Sequence, residues 1–234
     1  MDQIIEINQL TKTYGNLKAL DGVNLSLPKG KIIGILGPNG SGKTTLIKII
    51  TGMIKNHEGS VLLDNKPVSK ETKALVAYLP DQLYFDGWMR IKDLKVYFKD
   101  MFSDFDVNKF ETLQKRFKIE DRVLIKRLSK GNQEKLQLAM VLSRNAKIYI
   151  FDEPIGGVDP ALREIILETI MSYRNMDATV LLSTHQIYDV ERLFDEVVFL
   201  KEGKAILHRN TKELVDERGK SLLEIFKEEF KYVV

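Results

Sequence analysis

Short hydrophobic runs separated by turn residues recur along the chain. Several runs alternate between apolar and polar positions, which predicts half-buried strands, while the continuous apolar run 31–36 is typical of a strand buried on both faces. Hydrophobic residues three or four positions apart predict helices between these strands. The predicted strands are 4–10, 20–27, 31–36, 60–63, 74–79, 148–151, 179–182, 197–200 and 204–207. The predicted helices outside the central part of the chain are 44–51, 160–173 and 187–193.

The pattern changes in the central part of the chain, at about 86–145. Strand signals are few there, and three amphipathic helical patterns follow one another. We interpret this segment as a helical insertion, since the alternation of strands and helices resumes after it. A short helical tail is predicted at about 211–234. We therefore expect residues 1–234 to form one α/β domain with a helical insertion and a helical tail.

Composition excludes several classes of protein. The chain has 234 residues, of which 44% are hydrophobic, and it has no cysteine, so neither a disulfide framework nor a thiolate metal site is expected. The formal net charge is only +3, and without a basic stripe no nucleic-acid partner is expected. No apolar run approaches the roughly 20 residues of a membrane-spanning helix, and the N-terminus lacks the pattern of a signal peptide. These features predict a globular intracellular protein.

A glycine-rich loop follows the buried strand 31–36 and precedes a predicted helix. Its sequence, Gly-Pro-Asn-Gly-Ser-Gly-Lys-Thr at 37–44, fits the pattern G-x-x-x-x-G-K-[ST] in the context that the pattern requires. Backbone N–H groups and the helix N-terminus suit a polyphosphate there, Lys43 adds a charge between the β- and γ-phosphates, and the Thr44 hydroxyl is a ligand for Mg²⁺. The predicted nucleotide-binding residues are Gly37, Pro38, Asn39, Gly40, Ser41, Gly42, Lys43, Thr44 and Thr45.

Two acids end the apolar strand 148–151. At the carboxyl edge of a parallel sheet they would lie beside the glycine-rich loop. Asp152 then suits Mg²⁺ coordination, and Glu153 can polarise an attacking water. His185 follows another strand at the same edge, where it either reaches a γ-phosphate or has a structural role.

A second potential anion site lies far along the chain, at Leu-Ser-Lys-Gly-Asn-Gln, 128–133. Ser129 and Gly131 open a predicted helix, so a hydroxyl and backbone N–H groups meet the positive end of a helix dipole. Taken alone, the pattern is also that of an ordinary helix N-cap.

The order and spacing of these motifs resemble the ATP-binding subunits of ABC transporters over nearly the whole chain. The glycine-rich loop corresponds to Walker A, 128–132 to the Leu-Ser-Gly-Gly-Gln signature, 148–153 to Walker B with its glutamate, 156–159 to the D-loop, and His185 to the switch histidine. The resemblance implies a P-loop NTPase core of the ABC type, with a mixed parallel sheet, an antiparallel β subdomain and an inserted α-helical subdomain.

The resemblance also implies a role for each motif residue. Glu153 would be the general base and His185 the γ-phosphate sensor, while Tyr14 would stack on adenine unless it is a core tyrosine. ATP would lie between the glycine-rich loop of one subunit and the signature of another in a head-to-tail dimer, homodimeric or heterodimeric, and Asp159 would act across it. The residues implied on the opposite subunit's nucleotide are Ser129, Lys130, Gly131, Asn132 and Asp159.

The chain departs from the family pattern at two places. Lys130 and Asn132 replace residues of the signature, whereas Ser129 and Gly131 are kept. After the strand 74–79, where the family has a glutamine that contacts Mg²⁺ and water, spacing puts Asp81 in the glutamine's position and Gln82 one residue later. The predicted metal ligands are Thr44, Asp81, Gln82 and Asp152, and an acid at this point is a feature of export-type subunits.

The resemblance implies an ATPase that drives transport with ATP and Mg²⁺, bound to separate integral membrane subunits on the inner face of the cell membrane. Residues after Asp81, including Tyr84, Phe85 and Trp88, would face those subunits, although Trp88 suits core packing of the insertion equally well. One alternative is a soluble ABC-type ATPase acting on ribosomes or DNA, and another is a GTPase or small-molecule kinase.

Overall fold

The computed structural model describes residues 2–230. The strands are β1 (Gln3–Tyr14), β2 (Leu17–Pro28), β3 (Ile32–Leu36), β4 (Glu58–Leu63), β5 (Lys66–Pro67), β6 (Val76–Leu79), β7 (Ile148–Asp152), β8 (Thr179–Thr184), β9 (Glu196–Lys201) and β10 (Lys204–Asn210). The helices are α1 (Lys43–Ile50), α2 (Lys70–Lys73), α3 (Ile91–Met101), α4 (Val107–Arg116), α5 (Lys130–Leu142), α6 (Pro160–Tyr173), α7 (Thr211–Arg218) and α8 (Leu222–Glu229).

The strands form two sheets. The larger sheet has the order β10-β9-β3-β8-β7-β6, in which all pairs are parallel except that of β9 with β10. The smaller sheet, β2-β1-β4-β5, is antiparallel. Every residue of β3, β7 and β8 is buried, as expected for parallel strands covered on both faces. The predicted α/β fold, a mixed parallel sheet with an antiparallel β subdomain, is confirmed.

Alternate residues of each central strand enter different halves of the core. On one face, Ile148 and Ile150 pack with α1 and the antiparallel sheet. On the other, Tyr149 and Phe151 pack with the helices α3 to α6. The carboxyl ends of β3, β6, β7 and β8 therefore emerge between these two halves of the core, and ligands bind at the carboxyl ends of the strands in open α/β sheets.

Three helices, α3 to α5, and a 3₁₀ turn, Ile125–Arg127, lie between β6 and β7. This is the part of the chain predicted as a helical insertion. Arg144 joins it to the sheet, because its guanidinium contacts Asp104 in the insertion and the carbonyl oxygens of Ala74 and Val76 at β6.

The predicted helix 187–193 is wrong. The structure has a 3₁₀ turn there, Glu191–Leu193. The N–H groups of Val190 and Glu191 both bond to the carbonyl of Ile187, and that of Leu193 bonds to the carbonyl of Val190, so the segment consists of short turns and not of a continuous helix. The chain must turn sharply there because Asp195 is already bonded to Ile32 at the start of β3.

The predicted tail contains two helices, α7 and α8, and its residues 231–234 lie outside the described part of the chain. Between residues 2 and 230, no helix combines the length and hydropathy needed to span a membrane.

Candidate functional site

The glycine-rich loop curls between β3 and α1, and two of its glycines are required by close backbone contacts. A Cβ at Gly37 would lie 2.3 Å from the carbonyl oxygen of Leu200, and a Cβ at Gly42, where φ is +107°, would lie 2.5 Å from that of Ala19. The loop leads directly into α1, whose first N–H groups have no partner within the helix. The loop is therefore a cradle of backbone donors at the positive end of a helix, which suits an anion such as a phosphate.

Lys43, Glu153 and His185 meet in one array, although they are far apart in sequence. The Lys43 ammonium donates to the carbonyls of Gly37 and Pro38 at 2.8 and 3.2 Å and lies 3.2 Å from Oε1 of Glu153. The other carboxylate oxygen, Oε2, lies 3.0 Å from Nδ1 of His185. Only 6% of the Lys43 side chain and 16% of the Glu153 side chain are exposed, so this ion pair is largely shielded from water.

Asp152 is fully buried next to this array. Its Oδ1 accepts hydrogen bonds from the hydroxyls of Ser183 at 2.6 Å and Thr44 at 3.3 Å, while Oδ2 has no hydrogen-bond partner among residues 2–230. Burial raises the pKa of the Asp152 carboxyl, the two hydroxyls oppose that shift, and the negative charges of Asp81 and Glu153 add to it. A buried carboxylate with a free oxygen needs a cation or a proton.

The donors around Asp152 fit Mg²⁺. The described residues contain no group of three or more acidic, histidine or cysteine side chains that could hold a metal alone. Mg²⁺ does not require one, because it keeps several waters and is usually bound through one or two carboxylates together with substrate phosphates. Oδ2 of Asp152 and the Thr44 hydroxyl, beside a phosphate cradle, provide such a partial set.

Asp81 and Gln82 follow β6 and are exposed. They line a cleft of about 300 Å³ together with Glu153, Lys130 and residues of α5. Asp81 is close enough to Asp152 to raise the pKa of that carboxyl. Gln82 is held through its backbone, since its carbonyl accepts a hydrogen bond from the side chain of Gln137 at 3.1 Å. Of Asp81 and Gln82, it is therefore Asp81 whose charge acts on Asp152, the candidate metal ligand.

The signature region lies apart from the glycine-rich loop. Ser129 caps α5, and its hydroxyl accepts from the N–H of Asn132 at 3.4 Å. Within the described part of the chain, Lys130 pairs with Glu134, 3.9 Å away, at the surface. No hydrogen bond or ion pair within residues 2–230 connects the segment 129–132, including Gly131, with the segment 37–45. One chain therefore leaves this helix terminus free for another molecule.

The two remaining predicted residues also lie at the surface. Asp159 caps α6, where its Oδ1 accepts from the N–H of Leu162 at 3.0 Å. Tyr14 ends β1 with 46% of its surface exposed, so it is not a core tyrosine. The Lys12 ammonium lies 4.8 Å from the centroid of its ring.

Sequence reasoning missed Ser183 and Gln137. Ser183 lies opposite Asp152 in the β7/β8 register, bonds to its carboxylate and accepts from the backbone N–H of Glu153 at 3.0 Å. It thereby holds both acids of the strand end. The only sequence signal for it was its place in the strand that precedes His185.

The family is decided by comparison with known proteins. Residues 20–156, more than half of the chain, match the family described as ABC transporter. The chain belongs to this family. The predicted ATP-binding subunit of an ABC transporter is thereby confirmed, and the GTPase and kinase alternatives are excluded.

Relatives of this ABC protein are themselves ATP-binding subunits. It is 33% identical over 222 residues to the uncharacterized ABC transporter ATP-binding protein YhaQ of Bacillus subtilis, covering 93% of this chain and 74% of YhaQ. It is 31% identical over 214 residues to the lantibiotic transport ATP-binding protein SrtF of Streptococcus pyogenes, covering 88% of this chain and 90% of SrtF. These relatives do not favour a role on ribosomes or DNA.

A solved structure supports the fold independently. The ATP-binding subunit of an ABC transporter superimposes on this chain with a TM-score of 0.85 at 23% identity, covering 96% of this chain and 98% of the other.

Proposed function

We propose that this ABC protein binds ATP with Mg²⁺ and hydrolyses it to drive transport. The observation that carries the proposal is the array of Lys43, Glu153 and His185 directly beside the phosphate cradle. Lys43 would hold the β- and γ-phosphates, Glu153 would accept a proton from the attacking water, and His185 would hold the γ-phosphate. Asp152 and Thr44 would hold Mg²⁺, with Asp81 alongside. The ion would neutralise phosphate charge as it develops.

We infer that the working form is a head-to-tail dimer, of identical or related subunits. The support is the helix terminus at Ser129, which has no hydrogen bond or ion pair with the chain's own phosphate cradle among the described residues. A helix N-terminus with a capping hydroxyl suits a phosphate. In the dimer, Ser129 and Gly131 would meet the nucleotide held by the partner, and Asp159 would lie across the same interface.

We further infer that a separate membrane subunit binds at a groove beside the helical insertion. The groove has a volume of about 910 Å³ and is lined by exposed apolar side chains that include Met53, Tyr84, Trp88, Tyr97 and Met101. Trp88 is 70% exposed, so its alternative role in core packing is wrong. A patch of this kind marks an interaction site, and a cytoplasmic segment of a transporter's membrane subunit fits it. Binding there would place this protein on the inner face of the membrane.

Replacement of the proposed base tests the hydrolysis. Glu153→Gln should keep ATP binding, because the phosphate cradle is intact, but lose turnover by a factor of about 10² to 10⁴, and it should accumulate an ATP-bound dimer. The measurements are phosphate release and size-exclusion chromatography with ATP and Mg²⁺. Glu164→Gln, at an exposed position of α6, is the matched control. Wild-type turnover by Glu153→Gln would show that another group is the base.

A further inference from the structure

Tyr78 carries a hydroxyl that the fold does not use. Its side chain packs against the core half that contains α1, but the hydroxyl oxygen is buried and has no hydrogen-bond partner among residues 2–230. Such a group destabilises the folded protein relative to a bonded one. Phenylalanine would fill the same space without that cost. A buried, unpartnered hydroxyl therefore needs an explanation other than packing.

The sheet register puts Tyr78 beside the buried carboxylate. Tyr78 lies opposite Ile150 in the parallel pair of β6 and β7, and Asp152 is two residues beyond Ile150 on the same face of the same strand. A diagonal neighbour at this separation is within reach of an aromatic side chain.

The electrostatics agree with that placement. Burial raises the pKa of the Tyr78 hydroxyl, and the negative charges of Asp152 and Asp81 raise it further. A tyrosine hydroxyl carries a proton that it can donate in a hydrogen bond. Ionised carboxylates such as those of Asp152 and Asp81 can only accept hydrogen bonds, so the Tyr78 hydroxyl is a suitable donor beside them.

One carboxylate oxygen of Asp152 can accept a hydrogen bond from such a donor. Both hydroxyls that reach this carboxylate, those of Ser183 and Thr44, bond to Oδ1, and Oδ2 has no partner in the described part of the chain. Thr44 is itself a candidate metal ligand. When it turns towards a metal, the carboxylate keeps Ser183 alone and loses a contact that fixes its orientation.

We propose that Tyr78 is a positioning residue for the metal site: when the site holds Mg²⁺, its hydroxyl donates a hydrogen bond to Oδ2 of Asp152 and fixes the carboxylate's orientation towards the ion. This inference rests on the proposed function, because it assumes that Asp152 holds the ion. Partners that orient a metal ligand typically contribute a factor of 10 to 100 in metal affinity. Tyr78 would act through Asp152 without touching the nucleotide.

The test uses Tyr78→Phe, with Tyr149→Phe as the matched control. Tyr149 lies on the neighbouring strand but packs into the opposite core half, and its hydroxyl donates to the carbonyl of Arg144. Binding of Mn²⁺ is measured by electron paramagnetic resonance with a non-hydrolysable ATP analogue, and binding of the analogue alone is measured without metal. Thermal unfolding of each ligand-free variant is measured in parallel.

We expect Tyr78→Phe to weaken Mn²⁺ binding about tenfold, while analogue binding without metal stays the same. Its ligand-free melting temperature should equal or exceed that of the wild type, because the lost hydroxyl had no partner. Tyr149→Phe should lower the melting temperature and leave Mn²⁺ affinity unchanged.

Three results would overturn the proposal. They are Mn²⁺ affinity of Tyr78→Phe within twofold of wild type, an equal loss of Mn²⁺ affinity in both variants, or a lower melting temperature for Tyr78→Phe. A wild-type chain that binds the analogue but no Mn²⁺ would instead reject Asp152 as a metal ligand, and the role of Tyr78 with it.

Discussion

Replacement of Arg144 should destabilise the protein far more than replacement of an exposed arginine. Only 4% of the Arg144 side chain is exposed. Its guanidinium contacts Asp104 at 2.5 Å and the carbonyl of Ala74 at 2.7 Å, and it lies 3.9 Å from the ring centroid of Phe102. In Arg144→Met the unbranched apolar part of the side chain is kept, but every one of these polar contacts is lost. Asp104 then has no cation, and the Ala74 carbonyl loses its side-chain donor.

The magnitude follows from what remains buried. Removing one partner of a buried ion pair costs about 3–5 kcal/mol. Asp104 keeps 26% of its side chain exposed and recovers some hydration, which favours the lower end, about 3 kcal/mol. For a chain of this length each kcal/mol lowers the melting temperature by about 2–4 °C, so the expected loss is about 6–12 °C.

Urea unfolding of the ligand-free protein, followed by circular dichroism, measures this loss. The control is Arg116→Met, which breaks an exposed pair with Glu168 and should cost less than about 1 kcal/mol. Asp104→Asn in the Arg144→Met background should recover part of the loss, because it removes the uncompensated charge. A loss below about 1 kcal/mol for Arg144→Met would refute the view that Arg144 connects the insertion to the sheet.

Three further predictions concern the site and its surfaces. Ser129→Arg should abolish ATP-induced dimerisation and turnover while nucleotide binding to the monomer persists, as measured by light scattering and equilibrium dialysis. The control Ser221→Arg, at the N-cap of α8, should keep both dimerisation and turnover. Trp88→Ala should reduce binding to membranes that contain the cognate membrane subunit, and Met176→Ala, 67% exposed at a different site, should not. Asp152→Asn should stabilise the ligand-free protein near pH 7 and abolish its stabilisation by ATP with Mg²⁺. The folded-state pKa of Asp152 is raised, so wild-type stability falls as pH rises through that value, and a thermal-unfolding difference that does not grow with pH would contradict the reasoning.

Elements whose sequence pattern depends only on neighbouring residues could be predicted well. The buried strand 31–36, the glycine-rich loop and the helix after it depend on neighbouring residues only, and the structure has β3 and α1 there. The segment 187–193 shows the limit of such reasoning. Its apolar spacing suits a helix, but Asp195, which follows the segment, is bonded to Ile32 of β3, and the structure has only short turns before it.

The contacts within the site depend on register, which no local pattern reveals. Ser183 reaches Asp152 because the β7/β8 pairing puts these two residues opposite each other. The β6/β7 pairing puts Tyr78 opposite Ile150, two residues before the same aspartate. Trp88 could be core or surface by its spacing alone, and only the packing of the insertion shows that its ring is left in solvent.

In the proposed function, the Lys43–Glu153 pair connects nucleotide binding with the release of the base. Glu153 is paired to Lys43 and adopts a left-handed backbone conformation, with φ of +49°, that non-glycine residues rarely adopt. A bound triphosphate carries more negative charge than the Glu153 carboxylate. When the Lys43 ammonium contacts it, the net attraction between Lys43 and Glu153 falls, because the phosphate repels the carboxylate and competes for the same ammonium. Glu153 must therefore lose much of its hold on Lys43 when a triphosphate occupies the cradle. Its carboxylate then stays near His185, with an oxygen free to accept a proton. In the proposed function, the same exchange of charge that binds ATP also frees the residue that hydrolyses it.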